Sequence, residues 1–261
     1  MMSPMSVRWV RTILILFCGV VLSACSTVNA EKIRAKTDQT IDAISTKTNI
    51  GKNPRDPLEG FNRLMFNFND TVDQNVLQPV ARVYRDTTPG FFQTAVSNFF
   101  GNIGDVWSAV NNILQGKVGD GMSDVMRVAV NSTFGLGGVI DIASPAGLQK
   151  HKEDFGQTLG VWGMPSGPYL VLPMLGSSTL RDTAALPVDM KADLWSYKEP
   201  VYVRNSGTVL KLVDKRASVL DAGTLLEEAA LDKYVFIRDA YLQKRANDIR
   251  KQEDEIGRAH V

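Results

Sequence analysis

The segment Asp56-Pro57-Leu58-Glu59-Gly60-Phe61-Asn62-Arg63-Leu64-Met65-Phe66-Asn67-Phe68-Asn69-Asp70-Thr71-Val72 sets the class of the fold. Leu58, Phe61, Met65, Phe68 and Val72 recur at alternating steps of three and four. On a helix of 3.6 residues per turn those positions share one face. Asp56, Pro57 and Glu59 have the spacing of a helix start, with a capping acid, a proline in the first helical position and a glutamate three residues after the cap. The segment reads as an amphipathic helix whose apolar stripe packs in the core and whose Asn62, Asn69 and Asp73 lie away from it.

Helical patterning continues on the C-terminal side through Val76 to Tyr84 and, after Pro89-Gly90, through Phe91, Phe92, Ala95, Val96, Phe99 and Phe100. A further segment carries Val106, Trp107, Val110, Ile113 and Leu114 and ends at Gly116, and another holds Val125, Met126, Ala129 and Val130. The middle of the chain departs from this pattern. Gly135, Gly137, Gly138, Gly156, Gly160, Gly163, Gly167 and Gly176 are mixed with Pro165, Pro168 and Pro173, yet the stretch is rich in Phe155, Leu159, Trp162, Tyr169, Leu170, Val171 and Leu172. An irregular backbone this apolar is expected to be buried in protein or to face lipid across short helices, because unsatisfied peptide groups are costly in hydrocarbon. Patterned segments return near Ser206–Leu220, Thr224–Ala230 and Lys233–Arg250, the last mixing Tyr234, Ile237 and Tyr241 with charges as a surface helix leaving the domain would. Strand-like alternation is hard to find, and the expected class is all-α.

On the N-terminal side, Arg8 and Arg11 precede an apolar run from Ile13 to Leu22 that ends in Ser23 and Ala24. The run is shorter than the roughly 20 residues of a spanning helix and reads as a secretory signal, residues 1–24. Leu22-Ser23-Ala24-Cys25 resembles a bacterial lipobox, so the expectation is cleavage before Cys25 and lipid on its sulfur and amine. Two or more acyl chains hold a protein firmly on a membrane. Ser26 rather than an aspartate after the cysteine favours the outer membrane, with the chain on its periplasmic side. Residues 25–54, rich in Lys, Thr, Asp and Asn, read as a tether; residues 55–250 form the helical domain; residues 251–261 are a charged tail. Glu255–Val261 breaks the helical pattern without capping logic and matches the translation of a sequencing adapter, so the natural C-terminus is expected to differ.

Composition narrows the chemistry. The signal removes two of 29 basic residues and none of 28 acidic ones, leaving a nearly neutral chain that does not suit nucleic acid. Cys18 leaves with the signal and Cys25 is acylated, so neither a disulfide nor a thiolate metal site is expected. His151 and His260 are the only imidazoles. Gly163-Met164-Pro165-Ser166-Gly167 lacks the glycine two places before the serine of a nucleophile elbow, and Gly135-Leu136-Gly137-Gly138 lacks the third glycine of a dinucleotide loop. His151, Glu153 and Asp154 beside Lys150 and Lys152 read as a solvated loop rather than a metal set. No enzyme and no cofactor are expected; a lipid-anchored hydrolase using His151 and a structural envelope lipoprotein are the alternatives.

Several separated strings bear a family likeness: Asp56 to Arg63, Leu114-Gln115-Gly116-Lys117, Asn131-Ser132-Thr133, Glu153 to Gly160, Gly167 to Pro173 and Ser178-Thr179-Leu180-Arg181-Asp182. From about Asp56 to Arg245, and in its lipobox, the chain resembles the MlaA/VacJ family of phospholipid-binding lipoproteins. The resemblance implies a ring-shaped helical domain in the outer membrane with an amphipathic channel through its centre. It implies that phospholipid is taken from the outer leaflet and passed to a periplasmic lipid carrier protein, and that a trimeric porin is a partner. Phe61, Phe68, Phe155, Trp162, Tyr169 and Leu172 are the candidate lipid path.

Overall fold

A computed structural model describes residues 53–259. The expected signal, the expected lipidation site Cys25 and the expected tether as far as Lys52 lie outside them. The described part is mostly helical, as the patterning implies. Helix α1 (Glu59–Val72) runs through a π-helical turn at Asp73–Leu77 into α2 (Gln78–Thr87). Helix α3 (Gly90–Leu114) joins into one element the two segments expected on either side of Gly101, and α4 (Val118–Thr133) packs along it. Gly116 closes α3 with φ +85°, a conformation that Gly adopts freely, and Lys117 N donates to Asn112 O across it. After an irregular stretch come the short helix α5 (Phe155–Val161), strands β1 (Tyr169–Leu172) and β2 (Gly176–Thr179), α6 (Leu180–Ala192) and a 3₁₀ turn at Leu194–Tyr197. Helices α7 (Val201–Ala217), α8 (Leu220–Ala229) and α9 (Lys233–Ala259) complete the chain, α9 continuing past Arg250.

The polarity of this domain is reversed. Its buried side chains are dominated by Asn, Asp, Gln, Thr, Ser and Arg, whereas Phe91, Phe134, Leu136, Met174 and many other large apolar groups are exposed. Helix α1 exists as expected, but most of its apolar stripe does not face the core: Leu58, Phe61 and Phe68 are exposed, Met65 packs with Phe66 against Tyr169, Val171 and Tyr234, and Asn62 is fully buried. The physical reason is the hairpin. Strands β1 and β2 pair antiparallel, with Tyr169 opposite Thr179 and Leu172 opposite Gly176, which leaves the far edge of β1 to be satisfied. Asn62 and Asn69, seven residues apart on α1, do so. Asn62 Nδ2 donates to Tyr169 O (3.0 Å) and its Oδ1 accepts from Val171 N (2.9 Å). Asn69 Nδ2 donates to Leu172 O (2.8 Å) and its Oδ1 accepts from Met174 N (2.7 Å). Two side-chain amides thus stand in for a third strand.

Asp56 is not the cap of α1. The helix begins at Glu59, its N-cap Leu58 makes no side-chain bond, and the fully buried Asp56 carboxylate accepts from Asn62 Nδ2 (2.8 Å), Arg238 Nη1 (3.2 Å) and the Tyr234 hydroxyl. A guanidinium and a phenol outcompete a helix-end amide for that carboxylate. Helix α9 is correspondingly no surface helix leaving the domain, because Tyr234 and Arg238 are buried in it. Asn62→Ala should cost about 3 kcal/mol, since removing the amide leaves buried strand and carboxylate groups unpaired at roughly 1–3 kcal/mol each. Chemical denaturation of the purified domain checks this, and a loss under about 1 kcal/mol would deny the amide its role in holding the hairpin.

Candidate functional site

The polar interior begins where α3 meets α4. Gly121 allows the approach, because a Cβ there would lie 2.6 Å from Ile113 Cγ1. Asp124, Arg127 and Asn131 then present a polar stripe to Asp105, Ser108, Asn111, Asn112 and Gln115. Arg127 Nε lies 3.6 Å from Asp105, its Nη2 lies 3.4 Å from Asp141, and its Nη1 donates to Ser144 Oγ at 3.1 Å and to Leu148 O. Asn112 donates to Asp124 (3.0 Å), Gln115 donates to Thr158 Oγ1 (3.0 Å), and Thr158 Oγ1 donates to Asn111 Oδ1 (2.7 Å). The network is only partly satisfied, because Asn112 Oδ1, Gln115 Oε1 and Arg127 Nε are buried in it without a hydrogen-bond partner among the described residues.

Helix α5 carries the network toward α9. Asp154 caps it in a reciprocal box, accepting from Gln157 N (2.9 Å) while Gln157 Oε1 accepts from Asp154 N (2.8 Å). Gly156 and Gly160 form the seat, because Cβ atoms there would meet Arg245 Nη2 at 2.7 Å and Ile249 Cδ1 at 2.6 Å. Arg245 clamps two carboxylates, with Nη1 2.6 Å from Asp154 Oδ2 and Nε 2.9 Å from Asp182 Oδ2; the Tyr241 hydroxyl donates to the same Asp182 oxygen at 2.7 Å. Burial alone would raise the Asp182 carboxyl, but the bonds from Arg245 and Tyr241 and the charge of Arg181 outweigh it and hold it at about 2. A folded-state value below the ordinary one gives stability that is complete above about pH 4 and is lost as pH falls toward 2. Stability of the wild type should therefore drop steeply across that window, and Asp182→Asn should flatten the slope; a parallel slope in the two proteins would refute the assignment.

Between α3, α7, α9 and the loop before α5 lies a cavity of about 550 Å³. Lys150, Lys152, Lys211, Lys215, Lys244 and Arg245 line it, against Asp105, Glu153, Asp154 and Asp214. Most of the cations are committed: Lys150 to Asp105 (2.6 Å), Lys211 to Asp193 (3.0 Å), Lys244 to Asp248 (2.5 Å) and Arg245 to Asp154 and Asp182. Lys152 and Lys215 have no carboxylate at salt-bridge distance among the described residues. Burial, together with the neighbouring charges of Lys150, Lys215 and Lys244, pushes the Lys152 ammonium below its usual value. Such a cluster favours an anion able to accept several hydrogen bonds at once.

The six residues of the expected lipid path are not brought together. Phe61 and Phe68 stand on the exposed side of α1; Phe155 meets Trp162 edge to face at 6.2 Å, with the indole donating to Leu114 O; Tyr169 is buried against Tyr234; and Leu172 is half-buried in the hairpin. None of them lines the basic cavity. His151 sits 3.4 Å from Asp124 and 3.6 Å from Asp120, and the neighbouring acids turn elsewhere, Glu153 to Gln115 and Asp154 to Arg245. The lysines that matter lie far apart in sequence. The capping box Asp154-x-x-Gln157 and the Gly156-x-x-x-Gly160 spacing are local signals that could have located α5, and the expectations from sequence did not use them.

The described domain is similar to known proteins over most of its length. A profile of the MlaA lipoprotein family matches residues 54–248. The intermembrane phospholipid transport system lipoprotein MlaA of Escherichia coli (strain K12) is 38% identical over 194 residues, covering 72% of this chain and 76% of that protein. The protein of the same description from Haemophilus influenzae is 32% identical over 203 residues, with 74% and 80% covered. A solved structure, described as the structural basis for maintenance of bacterial outer membrane lipid asymmetry, superposes with a TM-score of 0.66 at 37% identity, covering 74% of this chain and 98% of that one.

Proposed function

The chain belongs to the MlaA lipoprotein family, and on that premise we propose that its reversed domain takes phospholipid from the outer leaflet of the outer membrane through its polar interior. It is an intermembrane phospholipid-transport lipoprotein that maintains outer-membrane lipid asymmetry, and not an enzyme. The observation that carries the proposal is the exchange of polar and apolar residues between inside and outside. An exterior bearing this much exposed apolar surface suits hydrocarbon. Among the described residues no helix is long and apolar enough to cross a membrane. In this proposal the domain lies in the outer membrane near its inner leaflet, with its irregular segments turned toward protein or the lumen.

The chief barrier to moving a phospholipid between leaflets is taking its charged headgroup through hydrocarbon. An interior lined by amides, carboxylates and ammonium groups replaces water for that headgroup, and the basic cavity supplies a resting point for the phosphate. No bond is made or broken, and the chain carries no nucleotide-binding motif, so lipid imbalance or the partners drive the flow. In the same proposal, the channel runs through a ring-shaped domain, acyl chains on Cys25 and the 25–54 tether hold it on the periplasmic side of the outer membrane, a trimeric porin surrounds or abuts it, and a soluble periplasmic carrier receives the lipid.

Deleting the gene tests this. Outer-leaflet phospholipid, labelled with an impermeant amine reagent in intact cells, should rise severalfold and return to normal with the wild-type gene. An unchanged outer leaflet would refute the proposal.

A further inference from the structure

A second cavity of about 600 Å³ lies between α3 and α7, beside the 3₁₀ turn. Its walls are Phe99, Phe100, Val139, Trp195, Val203 and Leu210, with very little polar surface. Trp195 gives the groove a fixed floor: its ring stands edge to face with Phe99 (5.8 Å, 87°) and Phe100 (5.2 Å, 85°), and its Nε1 donates to Arg204 O at 3.0 Å. Gly207 lets the indole sit against the α7 backbone, where a Cβ would come within 2.1 Å of Trp195 Cζ2. The indole's polar atom is thereby turned into the protein and hydrocarbon is left facing the groove. Phe100 lines both this groove and the basic cavity, so the two adjoin at that residue. Lys211 Nζ, 5.9 Å from the Phe100 ring centroid, marks the charged side of that ring.

We propose that this groove holds one acyl chain of the same phospholipid whose phosphate rests among Lys152 and Lys215 in the adjoining cavity. The proposal rests on the phospholipid reading above and adds a place for a tail. An apolar trough directly adjoining a cationic one is complementary to an anionic amphiphile, and to neither a simple anion nor a neutral hydrocarbon. A volume of about 600 Å³ lies within the roughly 300–1,000 Å³ of small-molecule sites. Holding one chain against rigid rings fixes the headgroup's approach to the lysines.

The test titrates the full protein in detergent with a phospholipid brominated on its acyl chains, following the part of the tryptophan fluorescence that Trp195→Phe removes. That part should be quenched saturably, and at about tenfold or higher concentration by a brominated alkyl alcohol of equal chain length. Lys152→Gln with Lys215→Gln should shift the phospholipid titration upward by about tenfold or more. Ser206→Phe, at an exposed position on the groove, should abolish the saturable quenching with Tm unchanged. Equal quenching by alcohol and phospholipid, or indifference to the lysine changes, would overturn the proposal by showing that the groove meets bulk hydrocarbon only. Unquenched Trp195 in a protein that still retains phospholipid by mass analysis would remove the tail site and leave lipid carriage standing. Loss of both would remove the reading on which it rests.

Discussion

Arg245→Met is expected to lower stability by about 3 kcal/mol, because it takes a charged partner from the buried Asp182, which keeps only Arg181 and Tyr241, and from Asp154, whose side chain is 41% exposed. Asp154 and Asp182 come from different elements, the cap of α5 and the first turn of α6, and Arg245 brings α9 onto both. For a domain of this size the loss corresponds to a fall in Tm of about 10 °C. The triple variant Arg245→Met, Asp154→Asn, Asp182→Asn should recover most of it, since an intact buried ion cluster is often close to neutral against uncharged groups of similar shape. A single variant within about 1 kcal/mol of wild type would show that the seat formed by Gly156 and Gly160 holds α9 without the ion cluster.

Lys152→Gln with Lys215→Gln should separate carriage from stability in the opposite sense. Lys215 is exposed and the Lys152 ammonium sits among the like charges of Lys150, Lys215 and Lys244, so neutralising the pair removes repulsion and leaves Tm unchanged or slightly raised. Each contributes a charge-assisted bond to a bound phosphate, worth about 1.5–3 kcal/mol. Phospholipid retained by the purified protein should therefore fall by roughly 10- to 100-fold or more. A fall in Tm together with the lipid loss would assign the lysines to the fold, and unchanged lipid would remove them from the path.

The helices of this domain were legible in the sequence and their orientation was not. The period of Leu58, Phe61, Met65, Phe68 and Val72 identified α1, but placing an apolar stripe in the core is a rule for proteins surrounded by water. Here the rule inverts, and the inward face is marked by Asn62 and Asn69, and on α4 by Asp124, Arg127 and Asn131, at the same helical spacings. Polar residues repeating with a helical period beside an equally regular apolar set were the available signal. Asp56 satisfied every local criterion for a cap, yet its partners Tyr234 and Arg238 lie at the far end of the chain, beyond any local pattern. The hairpin escaped for a related reason: β1 is four residues long, too short for alternation, and its edge is held by side chains of α1. The basic cavity draws its lysines from three separate stretches, and only folding brings them together.

The central claim is that a domain turned inside out carries phospholipid in its interior. Lipid extraction and mass analysis of the full protein purified in detergent test it most directly, with an unrelated membrane protein of similar size purified in parallel and the Lys152→Gln, Lys215→Gln double variant beside it. Phospholipid in near-stoichiometric amount in the wild type, and strongly reduced in the double variant at equal Tm, is the predicted result. Phospholipid no higher than in the unrelated protein would contradict the claim.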